Sequence, residues 1–124
     1  MISIILIFLT HWLSDFICQT HEMSIKKSKS LLWLSYHVLV YSTVTTLCWM
    51  AFFGRDFDSF NTTTLLILSI TFLTHWFTDY FTSRWTSKLW EKKDVHNFFV
   101  VIGFDQLIHA TTLLITYNYL IQTI

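Results

Sequence analysis

The chain has 124 residues, of which 53% are hydrophobic, 19% aromatic and only 13% charged, and its formal net charge is zero. A chain of this length makes one domain, and this one is far too apolar for a small soluble protein. The absence of net charge argues against nucleic acid as a partner, and the composition favours membrane lipid as the surroundings.

Four long apolar stretches follow one another, at about residues 2–20, 31–53, 64–82 and 98–120. Each is close to the roughly 20 residues that a helix needs to cross a bilayer. The sequence has no proline and only two glycines, which leaves little basis for a β-rich fold. We therefore predict an all-α integral membrane domain over residues 1–124, a bundle of four transmembrane helices.

The basic residues are concentrated in two of the segments that connect these stretches. Seven of the eight lie within residues 21–30 and 83–97, namely Lys26, Lys27, Lys29, Arg84, Lys88, Lys92 and Lys93. Loops that flank transmembrane helices on the cytoplasmic side are enriched in Lys and Arg. This pattern predicts that both loops are cytoplasmic and that both termini lie outside.

A nine-residue motif occurs twice. The first copy, FLTHWLSDF, spans residues 8–16, and the second, FLTHWFTDY, spans residues 72–80. Each copy places an aspartate four residues after a histidine, which puts the two side chains on one face of a helix. The motif predicts that the same polar pair enters the bundle from the first and the third helix.

The repeat extends to the second helix of each half. When SYHVLVYSTVTTL is aligned with GFDQLIHATTLLI, His37 stands opposite Asp105 and Tyr41 opposite His109. We interpret residues 1–54 and 60–124 as two pseudo-symmetric helical hairpins in the same orientation, with a homodimeric hairpin as a plausible ancestor.

Depth along the predicted helices separates the polar residues into two layers. Near the middle of the bilayer lie His11, Tyr41, His75 and His109, and one turn toward the cytoplasm, roughly 6 Å away, lie Asp15, His37, Asp79 and Asp105. Because the topology was taken from Lys and Arg alone, the layering is an independent reason to expect one shared site.

Three aspartates within a bilayer require compensation, since each costs about 2.5–3.5 kcal/mol near the centre. Imidazole and carboxylate groups suit Zn²⁺, Fe²⁺ and Mn²⁺, and helical bundles often hold such ions. The predicted metal ligands are His11, Asp15, His37, His75, Asp79, Asp105 and His109.

An open position on such an ion would activate water, so the first functional hypothesis is a metal-dependent hydrolase acting at the cytoplasmic half of the bilayer. Asp15 and Asp79 are its predicted catalytic carboxylates. Within the same hypothesis, these two residues could instead orient the histidine ligands.

Two other interpretations stay open. A transporter of a small solute or ion, such as a flat or cationic nitrogen heterocycle, a metal ion or protons, would use intramembrane His and Asp, could stack its cargo on Trp12 and Trp76, and would need a homodimer. Alternatively, the polar residues form only structural hydrogen bonds between helices, worth about 0.6–2 kcal/mol each.

The quoted residues also carry a family resemblance over nearly the whole chain. The pattern comprises His11, Asp15, Phe16 and Gln19, then His75, Asp79 and Tyr80, and finally Asp105, Gln106 and His109. It resembles a family of small bacterial and phage membrane proteins known only as a domain of unknown function. The resemblance implies location in a bacterial inner membrane and a role for these polar positions, and it implies no reaction. The mismatch of His37 with Asp105 and of Tyr41 with His109 favours one occupied site, biased toward the first, third and fourth helices.

Overall fold

The computed structural model describes residues 1–54 and 62–122, and these residues form helices and short connections without a strand. The helices are α1 (Ile2–Trp12), α2 (His21–Lys26), α3 (Leu31–Phe53), α4 (Thr62–Glu91) and α5 (Val95–Tyr117), with π-helical continuations of α1 over Leu13–Ile17 and of α5 over Asn118–Gln122. The all-α prediction is confirmed for this part of the chain. The predicted second repeat, 60–124, begins and ends in residues outside the described ranges.

Predicted bounds and observed bounds agree best for α3, which covers residues 31–53. They differ most for α4, which continues to Glu91, so most of the predicted loop 83–97 is helix. The prediction ended this helix where hydropathy falls, but backbone hydrogen bonding continues through polar residues when no glycine or proline interrupts them. The turn comes after Glu91, where Lys93 has a φ of 58°.

The predicted loop 21–30 likewise contains a short helix, α2. Thr20 is its N-cap, and the Thr20 hydroxyl accepts a hydrogen bond from the Met23 amide at 3.3 Å. Such a cap satisfies one of the amides that the first turn of a helix leaves unpaired. The cap therefore fixes where the chain turns back toward α3.

The four long helices close into a ring. α4 packs against both α3 and α5, and α1 packs against the same two helices from the other side. Large apolar side chains on the outside are exposed, for example Ile5, Leu39, Phe77 and Leu107, whereas many buried side chains are polar. An apolar exterior around a polar interior is the arrangement expected of helices in lipid.

By length and composition, two helical stretches are able to cross a membrane, namely Leu31–Phe53 and Val95–Ile121. Ile2–Ile17 is apolar but shorter. α4 is longer than either, but Asp79 and the charged residues toward its C-terminus make it more polar. Among the described residues, only α3 and α5 pass this test, and the bundle of four transmembrane helices stays a prediction.

The interior of the ring is divided along its length. At the end where α1 begins, an apolar cluster consists of Ile7, Trp49, Ile67, Leu113 and Tyr117. The histidines and aspartates of the two predicted layers lie in the other half. The interior of the bundle therefore has an apolar end and a polar end.

Candidate metal centre

Two helix conformations position the two copies of the HxxxD motif. His75 and Asp79 lie within regular α4, whereas the first copy crosses from α1 into the π-helical segment that contains Asp15. A π-helical turn holds more residues than an α-helical turn, so residues four apart no longer point in the same direction. His11 lies just before this change in backbone, with its Nε2 3.9 Å from Asp15 Oδ2 and its ring centroid 5.6 Å from that of His109.

Four ligand atoms converge at one point, and we call them the four-ligand site: Asp15 Oδ1, His37 Nε2, His75 Nε2 and Asp79 Oδ2. His37 Nε2 lies 3.2 Å from His75 Nε2, 3.2 Å from Asp15 Oδ1 and 3.3 Å from Asp79 Oδ2. His75 Nε2 lies 3.5 Å from Asp15 Oδ1 and 3.6 Å from Asp79 Oδ2. All four residues are buried.

These separations match a tetrahedral ion. Zn²⁺ binds imidazole nitrogen and carboxylate oxygen at about 2.0–2.2 Å, and the corners of such a tetrahedron lie about 3.3–3.6 Å apart. Five of the six distances among the four atoms run from 3.2 to 3.6 Å. The four side chains could therefore hold a divalent ion, and the same atoms are also paired with one another.

The histidine rings are oriented from their Nε2 side and by stacking. His75 lies between the rings of Tyr41 and His109, with centroid separations of 3.8 and 4.0 Å. Nδ1 of His37 and Nδ1 of His75 are buried and have no hydrogen-bond partner among the described residues. In a histidine that binds metal through Nε2, the ring proton sits on Nδ1 and the free lone pair lies on Nε2. In this tautomer the Nε2 lone pairs of His37 and His75 would both point toward the four-ligand site.

A second set of atoms, the three-ligand group, adjoins the first: Asp79 Oδ1, Asp105 Oδ1 and His109 Nε2. His109 Nε2 lies 3.2 Å from Asp79 Oδ1 and 3.4 Å from Asp105 Oδ1. The Thr82 hydroxyl donates a hydrogen bond to Asp105 Oδ1 at 2.6 Å. Six of the seven predicted ligands therefore belong to one of these two groups.

His11, the seventh predicted ligand, lies outside both groups. Its Nε2 donates to the Gln106 side-chain oxygen at 2.8 Å, and the Tyr41 hydroxyl donates to its Nδ1 at 3.2 Å. Its nearest carboxylate oxygen, Oδ2 of Asp15, is 3.9 Å away. Both ring nitrogens of His11 thus form hydrogen bonds. His11 therefore supports the centre through Tyr41 and Gln106 and belongs to neither ligand group. The sequence predicted a site biased toward the first, third and fourth apolar stretches, which form α1, α4 and α5. The four-ligand site does not match this bias, because His37 comes from α3, which is the second stretch.

Sequence reasoning missed Lys27, which it used only as a topology signal. The Lys27 ammonium donates to Asp79 Oδ2 at 2.7 Å and to His37 Nε2 at 3.3 Å. Burial lowers the pKa of Lys27, but the carboxylates of Asp79 and Asp15 outweigh burial and leave the pKa raised. Lys27 is therefore a permanent positive charge beside the ligands. No pattern in the sequence distinguishes it from Lys26 or Lys29.

Gln106 was noted only within the family pattern, although it connects three polar residues. Its amide nitrogen donates to Asp105 Oδ2 at 3.1 Å and to Asp15 Oδ2 at 3.5 Å, while its oxygen accepts from His11. It lies on α5 between Asp105 and His109, so its position next to an intramembrane aspartate was the available signal.

A pocket of about 680 Å³ leads to the centre from the end of the bundle where α1 ends and α5 begins. Its inner wall includes Asp15, Lys27, Asp79, Asp105 and Gln106. The rest of its lining combines the apolar side chains of Phe16, Ile25, Trp90, Phe98, Phe99 and Ile102 with serines, threonines, Gln19, Lys29 and Glu91. Both carboxylates predicted to be catalytic are therefore reachable from outside.

The two tryptophans proposed to stack on a transported solute do not line this pocket. Trp12 is 53% exposed on the outside of α1. Trp76 stacks on Tyr80 and donates its indole N–H to the Ser35 hydroxyl at 3.1 Å. Trp12 therefore lies on the exterior of the bundle, and Trp76 packs between helices.

The described fold and site define an all-helical protein with a buried cluster of histidines and aspartates that could hold a metal ion. The chain belongs to the family described as "Protein of unknown function (DUF3307)", whose model matches residues 3–124. No curated protein and no solved structure matches the chain.

Proposed function

We propose that the protein is a membrane-embedded, metal-dependent hydrolase whose divalent ion is bound at the four-ligand site. The observation that carries the proposal is the set of five separations of 3.2–3.6 Å among two imidazole nitrogens and two carboxylate oxygens. Zinc suits this N₂O₂ set best, and Fe²⁺ or Mn²⁺ would accept the same ligand types.

A purely structural hydrogen-bond network explains the same contacts less completely. Nε2 of His37 and Nε2 of His75 are 3.2 Å apart, and a hydrogen bond between two neutral rings uses one proton. If the rings instead donate to Asp15 Oδ1, at 3.2 and 3.5 Å, their two Nε2 atoms face each other with no hydrogen bond between them. A divalent ion bonds all four atoms at once, which favours the metal over structural hydrogen bonds alone.

The shape of the interior favours hydrolysis over transport. Among the described residues, the pocket opens at the end of the ring where α1 ends, and the apolar cluster around Trp49 lies toward the other end. A carrier opens its binding site to each side of the membrane in turn, which would require this apolar cluster to separate. A hydrolase needs only one entrance through which substrate arrives and products leave.

The proposed setting is a bacterial inner membrane crossed by α1, α3, α4 and α5. Lys and Arg lie mainly at the end of the ring that carries the pocket, so that end would be cytoplasmic and both termini outside. The apolar side chains of the pocket lining would then stand at the inner membrane surface. Substrates with an apolar part would reach the centre from that surface.

The residues divide the chemistry as follows. A divalent ion would supply Lewis-acid activation of water. Asp15 and Asp79 would hold the ion through one oxygen each, and both carboxylates line the pocket, where the remaining oxygen of Asp15 would accept a proton from water. His75 would contribute its Nε2, and the rings of Tyr41 and His109 fix the orientation of its imidazole.

The metal content of detergent-purified protein, prepared without chelators, tests the proposal. We expect stoichiometric zinc, iron or manganese in the native protein and at least about a tenfold lower affinity in His75→Gln. His11→Gln is the matched control, because it replaces a buried histidine outside the ligand sets. Absence of metal from folded native protein, judged by circular dichroism, would overturn the proposal.

Hydrolysis is tested with two chromogenic esters, p-nitrophenyl phosphate and p-nitrophenyl butyrate. The proposal expects metal-loaded protein to cleave at least one of them, with activity lost after chelation, regained with metal and absent from His75→Gln. If native protein and His75→Gln release p-nitrophenol at the same rate from both esters, the hydrolase assignment is wrong, whatever the metal content.

A further inference from the structure

We propose that the centre binds two divalent ions, with the second at the three-ligand group and with Asp79 bridging the pair. The inference rests on the proposed function, because it adds a neighbouring position to the four-ligand site.

Asp79 presents its two oxygens to different partners. Oδ2 lies 3.3 Å from His37 Nε2 and 3.6 Å from His75 Nε2, whereas Oδ1 lies 3.2 Å from His109 Nε2. A carboxylate that directs one oxygen to each of two ligand groups can join two ions. Sites of this kind hold ions about 3.5–4 Å apart and recur in phosphatases, nucleases and aminopeptidases.

The three-ligand group has the separations that a metal requires. His109 Nε2 lies 3.2 and 3.4 Å from oxygens of Asp79 and Asp105. The single proton that Nε2 can carry bonds well to only one of these oxygens, so one of the two contacts of His109 has no hydrogen bond. An ion at this point would satisfy both carboxylates and the nitrogen together.

Neighbouring groups hold Asp105 in the orientation that the second ion needs. Thr82 donates to Oδ1 at 2.6 Å, and Gln106 donates to Oδ2 at 3.1 Å. Metal-binding carboxylates are commonly fixed by such outer hydrogen bonds. Asp79, Thr82 and Asp105 all line the pocket, so the remaining coordination positions would face incoming substrate.

Charge accounting indicates the class of substrate. Asp15, Asp79 and Asp105 contribute three negative charges and Lys27 one positive charge, so a single divalent ion brings the cluster to neutrality when its histidines are neutral. A second divalent ion raises the net charge to about +2, which an anionic group at the inner end of the pocket would reduce. The two-ion centre therefore favours anionic substrates such as phosphate esters.

Metal stoichiometry separates this inference from the proposed function. Titration of metal-free native protein with Mn²⁺ should reach two ions per chain, and Asp105→Asn should bind one with high affinity while the second weakens at least about tenfold. Asp94→Asn, an equal change in a residue outside the centre, should keep two. One ion in native protein would overturn the second position alone, whereas none would overturn the proposed function as well.

Electron paramagnetic resonance of the native protein provides a measurement that needs no variant. With two equivalents of Mn²⁺ bound, we expect the broadened spectrum of a magnetically coupled pair. Two bound ions that give only the signal of isolated Mn²⁺ would contradict bridging by Asp79. If Asp105→Asn does not fold, His109→Gln replaces it in the titration with the same expected result.

Discussion

Individual side chains in the centre lie close to more polar atoms than they can pair with through hydrogen bonds. Asp79 is the clearest case, because its two oxygens face three histidines and the Lys27 ammonium. Burial of an uncompensated carboxylate is costly, so a cation is required at this point in any account. Without a metal ion, Lys27 supplies the positive charge that compensates Asp79. A bound ion would compensate the same carboxylate together with Lys27.

Lys27 gives the first prediction. The Lys27 ammonium repels a divalent ion at the four-ligand site, so Lys27→Met should strengthen metal binding about tenfold. The free energy of a tenfold change is small compared with the Coulomb energy between charges this close. Competition with a fluorescent chelator measures the affinity, and Lys26→Met is the control. Because the pKa of Lys27 is raised, the difference should persist unchanged from about pH 7 to pH 9. Weaker binding by Lys27→Met would show that Lys27 instead positions Asp79 for the ion.

The residue scale also shows how far sequence reasoning reaches. The repeat and the depth argument brought Asp15, His37, His75 and Asp79 to one place, because helix periodicity and topology determine which residues share a level. The same argument could not exclude His11, since nothing in the sequence revealed the π-helical segment after it. Nor could it find Lys27, whose long side chain reaches the centre from a connecting segment.

At the scale of elements, α2 connects α1 to α3 and directs Lys27 toward the interior. Its six residues are too few to form a stable helix alone, so its cap and its packing must stabilise it. Met23 is its buried residue, at 3% exposure. Hydropathy assigned this segment to a loop because a short amphipathic helix leaves no long apolar stretch.

The cap on α2 gives the second prediction. Thr20→Ala removes the hydroxyl that accepts from the Met23 amide, at a cost of about 1 kcal/mol. We expect hydrogen exchange of the amides in His21–Lys26 to accelerate about fivefold, measured by mass spectrometry, while α4 is unaffected. Thr20→Ser should exchange like the native protein. Equal exchange in Thr20→Ala and the native protein would mean that packing alone holds α2.

At the scale of the whole molecule, the chain encloses a polar interior within an apolar surface. Composition was sufficient to predict the helices of the described residues, and it favours lipid surroundings. It was less informative about α4. This is the longest of the described helices, but its polar face and charged C-terminal end give it a lower hydropathy than α3. Polar residues that build a site also weaken the signal by which a membrane helix is identified.

The orientation of the bundle gives the third prediction. Alkaline phosphatase is active only outside the cytoplasm, so fusions in a bacterial inner membrane report the side on which each connection lies. We expect high activity from a fusion after Gly54 and background activity from a fusion after Lys92, because Lys and Arg flank the latter on the cytoplasmic side. The reverse pattern would invert the proposed topology and move the pocket to the outer surface.

The most direct measurement of the central claim is X-ray absorption at the zinc edge of protein loaded with one equivalent of Zn²⁺. The four-ligand site predicts a first shell of four nitrogen and oxygen atoms at about 2.0–2.2 Å, with the outer scattering of two imidazoles. A decrease from two imidazoles to one in His75→Gln, but not in His11→Gln, would assign His75 as one of the ligands. A six-coordinate shell of oxygen without imidazole would contradict the account.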